Sequence, residues 1–211
     1  MRLLTRRATL AACLALAAAP RAGFAASGSG PAIGAAAPDF ALPDQDGTLR
    51  RLSEFRGKTV VLEWTNHDCP FVRKHYNSGN MQALQTLAKE RGIVWLSMAS
   101  SPEGEQGFVT GGQARELTES RKANPTAVLL DPRSVASRAY NATVTPHMFV
   151  IDGQGMLRYM GAIDSVRSSR VEDVARAEPW LRDAMIAVAE GRTPAQAVTQ
   201  PYGCVVKYYG A

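Results

Sequence analysis

The run Thr59 to Thr65 (TVVLEWT) is β-branched and apolar, as a buried central strand requires, and Cys69-Pro70 follows it after a short polar loop. Proline presets the backbone for a first helical position, so the chain must turn from strand to helix with a cysteine at the junction. The rest of the sequence repeats this alternation. Met81, Leu84, Leu87 and Ala88 recur at helical spacing before a stop at Gly92, and Ile93 to Ala99 (IVWLSMA) is another apolar strand. A polar, glycine-rich passage from Ser101 to Gly112 leads into a helix ending near Ala123. Thr126 to Leu130 is a further strand, and Val135, Ala136, Ala139 and Tyr140 mark a short helix. Met148 to Ile151 and Met156 to Tyr159 flank Asp152-Gly153-Gln154-Gly155 and predict a hairpin. Trp180, Leu181, Ala184, Met185 and Val188 make a last amphipathic helix, closed by Gly191. Such alternation predicts a single α/β layer domain.

The 211 residues are 45% hydrophobic and 20% charged, ordinary values that exclude a disordered, collagenous or disulfide-dense chain. A formal charge of +5 invites a polyanion-binding reading, but Arg2, Arg6, Arg7 and Arg21 lie in a stretch without acids. Setting those four aside from the 24 basic residues leaves 20 against 19 acidic ones, so no nucleic-acid partner is expected. The arginines belong to an address label. Arg2, Arg6 and Arg7 precede an apolar run from Ala8 to Ala19, small residues from Ala22 to Ala26 offer cleavage sites, and Thr5-Arg6-Arg7-Ala8-Thr9-Leu10 resembles a twin-arginine signal. Leu10-Ala11-Ala12-Cys13 has the letters of a lipoprotein box, yet its apolar lead-in is short and apolar residues continue past Cys13. The run falls short of the roughly 18 residues of a spanning helix, so no permanent membrane anchor is expected. The expected organisation is a signal peptide over 1–25, a flexible leader over 26–36, a folded domain over 37–191 and a tail over 192–211, in a periplasmic or otherwise extracytoplasmic protein.

After export two cysteines remain, Cys69 and Cys204, a count that suits a structural bridge, a redox couple or half a metal site. A cysteine just before a helix meets unpaired amides and the positive end of the helix dipole, which stabilise its thiolate, the nucleophilic form. Arg73, Lys74 and His75 add positive potential and Asp68 opposes it. The competing reading is a small buried cysteine that packs like alanine. His67 and His75 are expected on exposed surfaces, and Lys89-Glu90-Arg91 on a solvated helix end. The tail Gln200 to Tyr209 (QPYGCVVKYY) holds three of the six tyrosines, too apolar for a disordered tail. The thirteen residues from Gly191 to Cys204 reach about 43 to 47 Å when extended, so chain length permits contact with Cys69. The tail is expected to fold back so that Cys204 resolves an oxidised Cys69. An intermolecular disulfide and an inert cysteine in a docked strand remain open.

Ala37 to Gly47 (APDFALPDQDG), Leu52 to Trp64 (LSEFRGKTVVLEW), Cys69-Pro70, Thr145-Pro146 before a strand and the closing hairpin together resemble the thioredoxin-like superfamily. The similar branch is the alkyl hydroperoxide reductase/thiol-specific antioxidant group, the redoxins or peroxiredoxin-like proteins, over about residues 34 to 190. The resemblance implies a thioredoxin-like fold, with a central mixed β-sheet flanked by helices, and one active-site cysteine, Cys69. It also implies that Pro146 is a cis-proline whose loop faces Cys69 and binds extended substrate backbone, whereas the residues alone allow a proline opening an edge strand. Thr65, Asn66, Pro70, Arg73, Thr145 and Pro146 are the supporting positions.

The sequence departs from the family pattern at several points. Thioredoxins carry a second cysteine three places after the first, where this chain has Val72, so the CxxC exchange mechanism is absent. Peroxiredoxins place threonine three residues and proline seven residues before their reactive cysteine; Asn66 and Leu62 stand there, with Thr65 one place off. The expected activity is that of a thiol oxidoreductase. Cys69 thiolate attacks a peroxide oxygen to give a sulfenic acid, or a sulfur of a protein or small-molecule disulfide to give a mixed disulfide. Cys204 or an external thiol reductant completes the cycle, and no cofactor is expected. Two other classes stay open: copper or zinc binding by His67, Cys69, His147 and Cys204, and a redox-inactive binding module. The enzymatic reading requires a Cys69 sulfur that the helix start keeps ionised and within reach.

Overall fold

A computed structural model describes residues 30–211. The signal-peptide reading, with Cys13, lies outside the described residues. In chain order the elements are β1 (Ala41–Pro43), β2 (Leu49–Arg51), β3 (Val60–Thr65), α1 (Pro70–Asn77), α2 (Asn80–Glu90), β4 (Val94–Ala99), α3 (Gly111–Ser120), β5 (Ala127–Leu130), α4 (Val135–Tyr140), β6 (Val144–Thr145), β7 (His147–Ile151), β8 (Leu157–Gly161), α5 (Trp180–Ala189) and β9 (Cys204–Val205). Five strands form a sheet in the order β5-β4-β3-β7-β8. β3, β4 and β5 run parallel, while β7 is antiparallel to β3 and β8 to β7. This is a mixed sheet flanked by helices, the thioredoxin-like architecture that the resemblance implies.

Residues alternate sides along a strand, and β3 shows why the sheet is covered on both faces. Val60, Leu62 and Trp64 join Leu96, Met98, Leu129, Tyr140 and Phe149 in one apolar layer. There the Trp64 ring centroid lies 5.2 Å from both Tyr140 and Phe149. Val61 faces the other way, into a layer with Val72 and Tyr76 of α1, Met81 and Leu84 of α2, and Leu181 and Met185 of α5. Glu63 shares that second side, and Cys69 sits in the same layer.

β8 is an edge strand, and both ends of the described chain cover its outer backbone groups. Gly34 N donates to Leu157 O at 2.8 Å and Leu157 N to Ala35 O at 2.9 Å. The expectation of a flexible leader is therefore corrected over residues 30–36, which are docked, with Ile33 packed against the core. Composition gave no sign of this, because the partners are backbone groups of a distant strand. Further along the same edge, Met160 N donates to Ala197 O at 3.0 Å and Thr199 N to Met160 O at 3.1 Å, which leads the tail towards β6. Among the described residues no helix is long and apolar enough to cross a membrane.

Candidate functional site

The end of β3 delivers the chain to a turn built by Asn66. Its carbonyl accepts from Cys69 N at 3.1 Å and its Oδ1 from Asp68 N at 2.9 Å, while its Nδ2 donates to Gln106 O at 3.3 Å. Gly107 closes over this side chain, and a Cβ there would stand 2.4 Å from Asn66 Cγ. Cys69 is the residue preceding α1, Pro70 opens the helix, and Arg73 N donates to Cys69 O at 2.9 Å. The sequence thus places the cysteine at the helix start for the reason expected. Reach is different: Cys69 is 0% exposed, which corrects the expectation of an accessible sulfur. The sulfur makes no hydrogen bond to the helix amides and instead donates to Thr145 O at 3.1 Å. The Thr145–Pro146 peptide is cis, and its loop faces Cys69.

The cover over the sulfur comes from the tail. β9 pairs antiparallel with β6, setting Cys204 opposite Thr145 and Val205 opposite Val144, and Val206 N extends the ladder to Thr143 O at 3.0 Å. Cys204 is half-buried against the layer that contains Cys69, and both are free thiols. Burial, with the adjacent Cys69 sulfur adding to it, pushes the Cys204 thiol up to about 12. Gly203 makes the close approach possible. It has a φ of 152°, and a Cβ would lie 1.8 Å from Thr145 O.

The remaining expected residues divide into those drawn into other bonds and those turned away. Arg73 pairs with Asp68 at 3.1 Å and donates to His67 O at 3.1 Å, so its charge is directed away from the sulfur. Lys74 and His75 are corrected more sharply, since both side chains are fully buried, Lys74 in an ion pair with Asp164. Burial lowers His75 to about 4. Thr65 Oγ1 has no hydrogen-bond partner among the described residues and lines a small cavity of about 50 Å³ with Asn66, His67, Tyr76, Ser97 and Arg121. Cys69 is not among that cavity's lining residues. The metal-ligand alternative is not assembled. His67 leans on Asp68 at 3.4 Å, whereas the buried His147 ring lies 4.5 Å from Phe149 and accepts from Thr143 N at 3.4 Å. Burial lowers His67, and it lowers His147 to about 4. Among the described residues no group of three or more His, Cys, Asp or Glu is placed to hold a metal ion.

Sequence reasoning missed Glu63. Its carboxyl is fully buried beneath α1 and accepts from Tyr76 Oη at 3.0 Å, Trp95 Nε1 at 2.9 Å and Ser97 Oγ at 2.8 Å. Burial raises its pKa, with the three donors opposing that shift. The available signal was a lone acid inside the apolar run TVVLEWT.

The chain belongs to the AhpC/TSA family, which residues 33–160 match. It is 29% identical over 135 residues to the methylamine utilization protein MauD of Paracoccus denitrificans, covering 63% of this chain and 60% of that protein. It is 28% identical over 134 residues to the thiol-disulfide oxidoreductase ResA of Geobacillus kaustophilus, covering 60% of this chain and 67% of that protein. The match therefore spans about three fifths of MauD's own length. A solved hypothetical protein from Sinorhizobium meliloti shares the fold, with a TM-score of 0.72 at 23% identity over 87% of this chain and 98% of that one. The family match ends at residue 160, ahead of the tail that carries Cys204.

Proposed function

We propose that this AhpC/TSA-family chain is a thiol-disulfide oxidoreductase in which Cys69 and Cys204 act as one dithiol/disulfide couple. The observation that carries the reading is the placement of Cys204 on β9, opposite the residue whose carbonyl accepts from the Cys69 thiol. The name of the relative ResA supports the reaction class. Val72 leaves no second thiol on the helix, and the tail supplies one in space instead.

In the forward direction Cys69 loses its proton and attacks one sulfur of the substrate disulfide. The substrate S–S bond breaks, the leaving sulfur takes up a proton, and a mixed disulfide remains on Cys69. Cys204, held as a thiol until then by its raised pKa, gives up its proton and attacks the Cys69 sulfur. The second substrate thiol leaves and the Cys69–Cys204 disulfide forms. Two electrons and two protons have passed to the substrate, and an external thiol reductant returns them. The positive end of α1 faces the negative charge that develops on Cys69. A protein disulfide can approach only when the tail lifts, because Cys69 is fully enclosed. Export to the periplasm or another extracytoplasmic space is part of the proposal, supported by Arg2, Arg6 and Arg7 ahead of their apolar run.

The same enclosure favours one second reading, reduction of hydrogen peroxide, a molecule far smaller than a protein disulfide. Cys69 thiolate would break the O–O bond to give a sulfenic acid and water, and Cys204 would condense with it to release a second water. One assay separates the two readings: turnover of a peptide disulfide and of hydrogen peroxide, each with dithiothreitol as reductant. The oxidoreductase reading expects disulfide turnover, none in Cys69→Ser, and in Cys204→Ser a mixed disulfide on Cys69 that is trapped when dithiothreitol is left out. Peroxide consumption much faster than disulfide exchange selects the second reading, and unchanged turnover in Cys69→Ser contradicts both.

A further inference from the structure

Five residues beyond Cys69, α1 turns a charged side chain into the protein. Lys74 Nζ lies 2.9 Å from Asp164 Oδ2, 2.9 Å from Val166 O and 3.1 Å from Tyr202 Oη, so the three ammonium donors meet three acceptors. Tyr202 Oη in turn donates to the other Asp164 oxygen. The Tyr202 ring stands edge-on to Phe71, with centroids 5.8 Å apart, and Lys74 Nζ lies 5.4 Å from its centre. Lys74 and Phe71 belong to the helix that starts after Cys69, Asp164 follows β8, and Tyr202 stands two residues before Cys204. A single buried ionic cluster therefore joins the segment of one cysteine to the segment of the other.

We infer that Lys74, Asp164 and Tyr202 are positioning residues that fix the register of the tail, so that Cys204 meets Cys69. This rests on the reading of the two cysteines as a couple. β9 has only two paired positions, and a slip of one residue would turn Cys204 to the opposite face of the strand. So short a ladder relies on its flanks: beyond Cys204 the buried Val206 bonds Thr143 O and Tyr208 bonds Ala142 O, and before it stands the Tyr202 cluster. An apolar contact such as Phe71 on Tyr202 tolerates sliding, whereas a buried ion pair with every donor matched accepts one arrangement. Such pairs add little net stability and are best attested as devices that specify register. The cluster lies on the N-terminal side of Gly203, whose missing Cβ sets the close approach to Thr145 O, so the clamp and the close approach act on consecutive residues.

The test separates the two chemical steps with a chromogenic aryl disulfide. The first released thiolate reports attack by Cys69, and the second reports closure by Cys204. Tyr202→Phe keeps the ring against Phe71 and removes only the hydroxyl. It is expected to leave the first step unchanged or faster, and to slow closure about 10- to 100-fold. Lys74→Met alone strands the Asp164 carboxylate in the interior. The pair Lys74→Met with Asp164→Leu removes both charges, and is expected to stay folded with closure slowed to the same extent. Closure in Tyr202→Phe as fast as in the unaltered protein, or equal slowing of both steps, overturns the positioning role while leaving the couple intact. Absence of closure in the unaltered protein overturns the couple itself.

Discussion

Cys69 stands where a six-residue strand, buried at five positions, hands over to an eight-residue helix, whereas Cys204 stands on a two-residue strand whose register is set from outside it. The first position follows from apolar periodicity, an asparagine-built turn and a proline at the helix start, all of which serve the fold as well. The second depends on particular atoms: a hydroxyl on Tyr202, a missing Cβ at Gly203 and a buried ammonium on Lys74. Changes around the first cysteine should therefore cost stability, and changes around the second should cost chemistry at little cost to the sheet.

Trp64→Ala gives the largest expected effect on the first side. It empties the layer between Tyr140 and Phe149 and should lower unfolding free energy by about 3 to 5 kcal/mol, read by urea denaturation. A fall below 1 kcal/mol would mean that the sheet does not carry the Cys69 junction. Acid acts on both sides together. His75 and His147 are held near 4 against an ordinary 6.5, so the unfolded chain binds protons that the folded chain refuses. Stability should be full above about pH 6.5 and fall on acidification towards pH 4, by about 3 kcal/mol for each histidine. A flat stability profile over that window would show that the two rings are not excluded from water as described.

On the second side, Gly203→Ala sets a methyl group against Thr145 O. The docked tail should detach, closure of the Cys69–Cys204 disulfide should slow about 100-fold, and Cys69 should alkylate faster with iodoacetamide. Unchanged closure would break the contrast between the two cysteines. The smallest expected effect is that of Glu63→Gln, which sets an amide among Tyr76, Trp95 and Ser97. A loss of about 1 to 3 kcal/mol in thermal or urea unfolding is expected.

The same contrast explains what could be read from the sequence. The strand TVVLEWT, the helix after Pro70, the hairpin around Asp152-Gly155 and the last amphipathic helix each announce themselves within a dozen residues, and the structure contains them all. The tail's three tyrosines signal that it packs somewhere; Tyr202 and Tyr208 do so, while the Tyr209 ring stays exposed. Where it packs was not legible, because β6 and β9 have two residues each and carry no periodic pattern. Lys74 is expected to add positive potential at the thiolate and His75 to lie on an exposed surface; both are buried, and nothing local marks Asp164, the acid some ninety residues away that pairs with Lys74. The burial of Cys69 was hidden for the same reason, since its cover comes from the far end of the chain.

The account stands on Cys69 and Cys204 being one couple within a single chain, and redox equilibration followed by intact and peptide mass measurement tests this directly. Reduced protein is incubated across a graded series of glutathione and glutathione disulfide, trapped by acid and digested. The account expects a monomer that loses two hydrogens in one cooperative step, with a single cross-link joining the Cys69 and Cys204 peptides. Glutathione held stably on Cys69 while Cys204 remains a free thiol, or a cross-link found only between two chains, would contradict it.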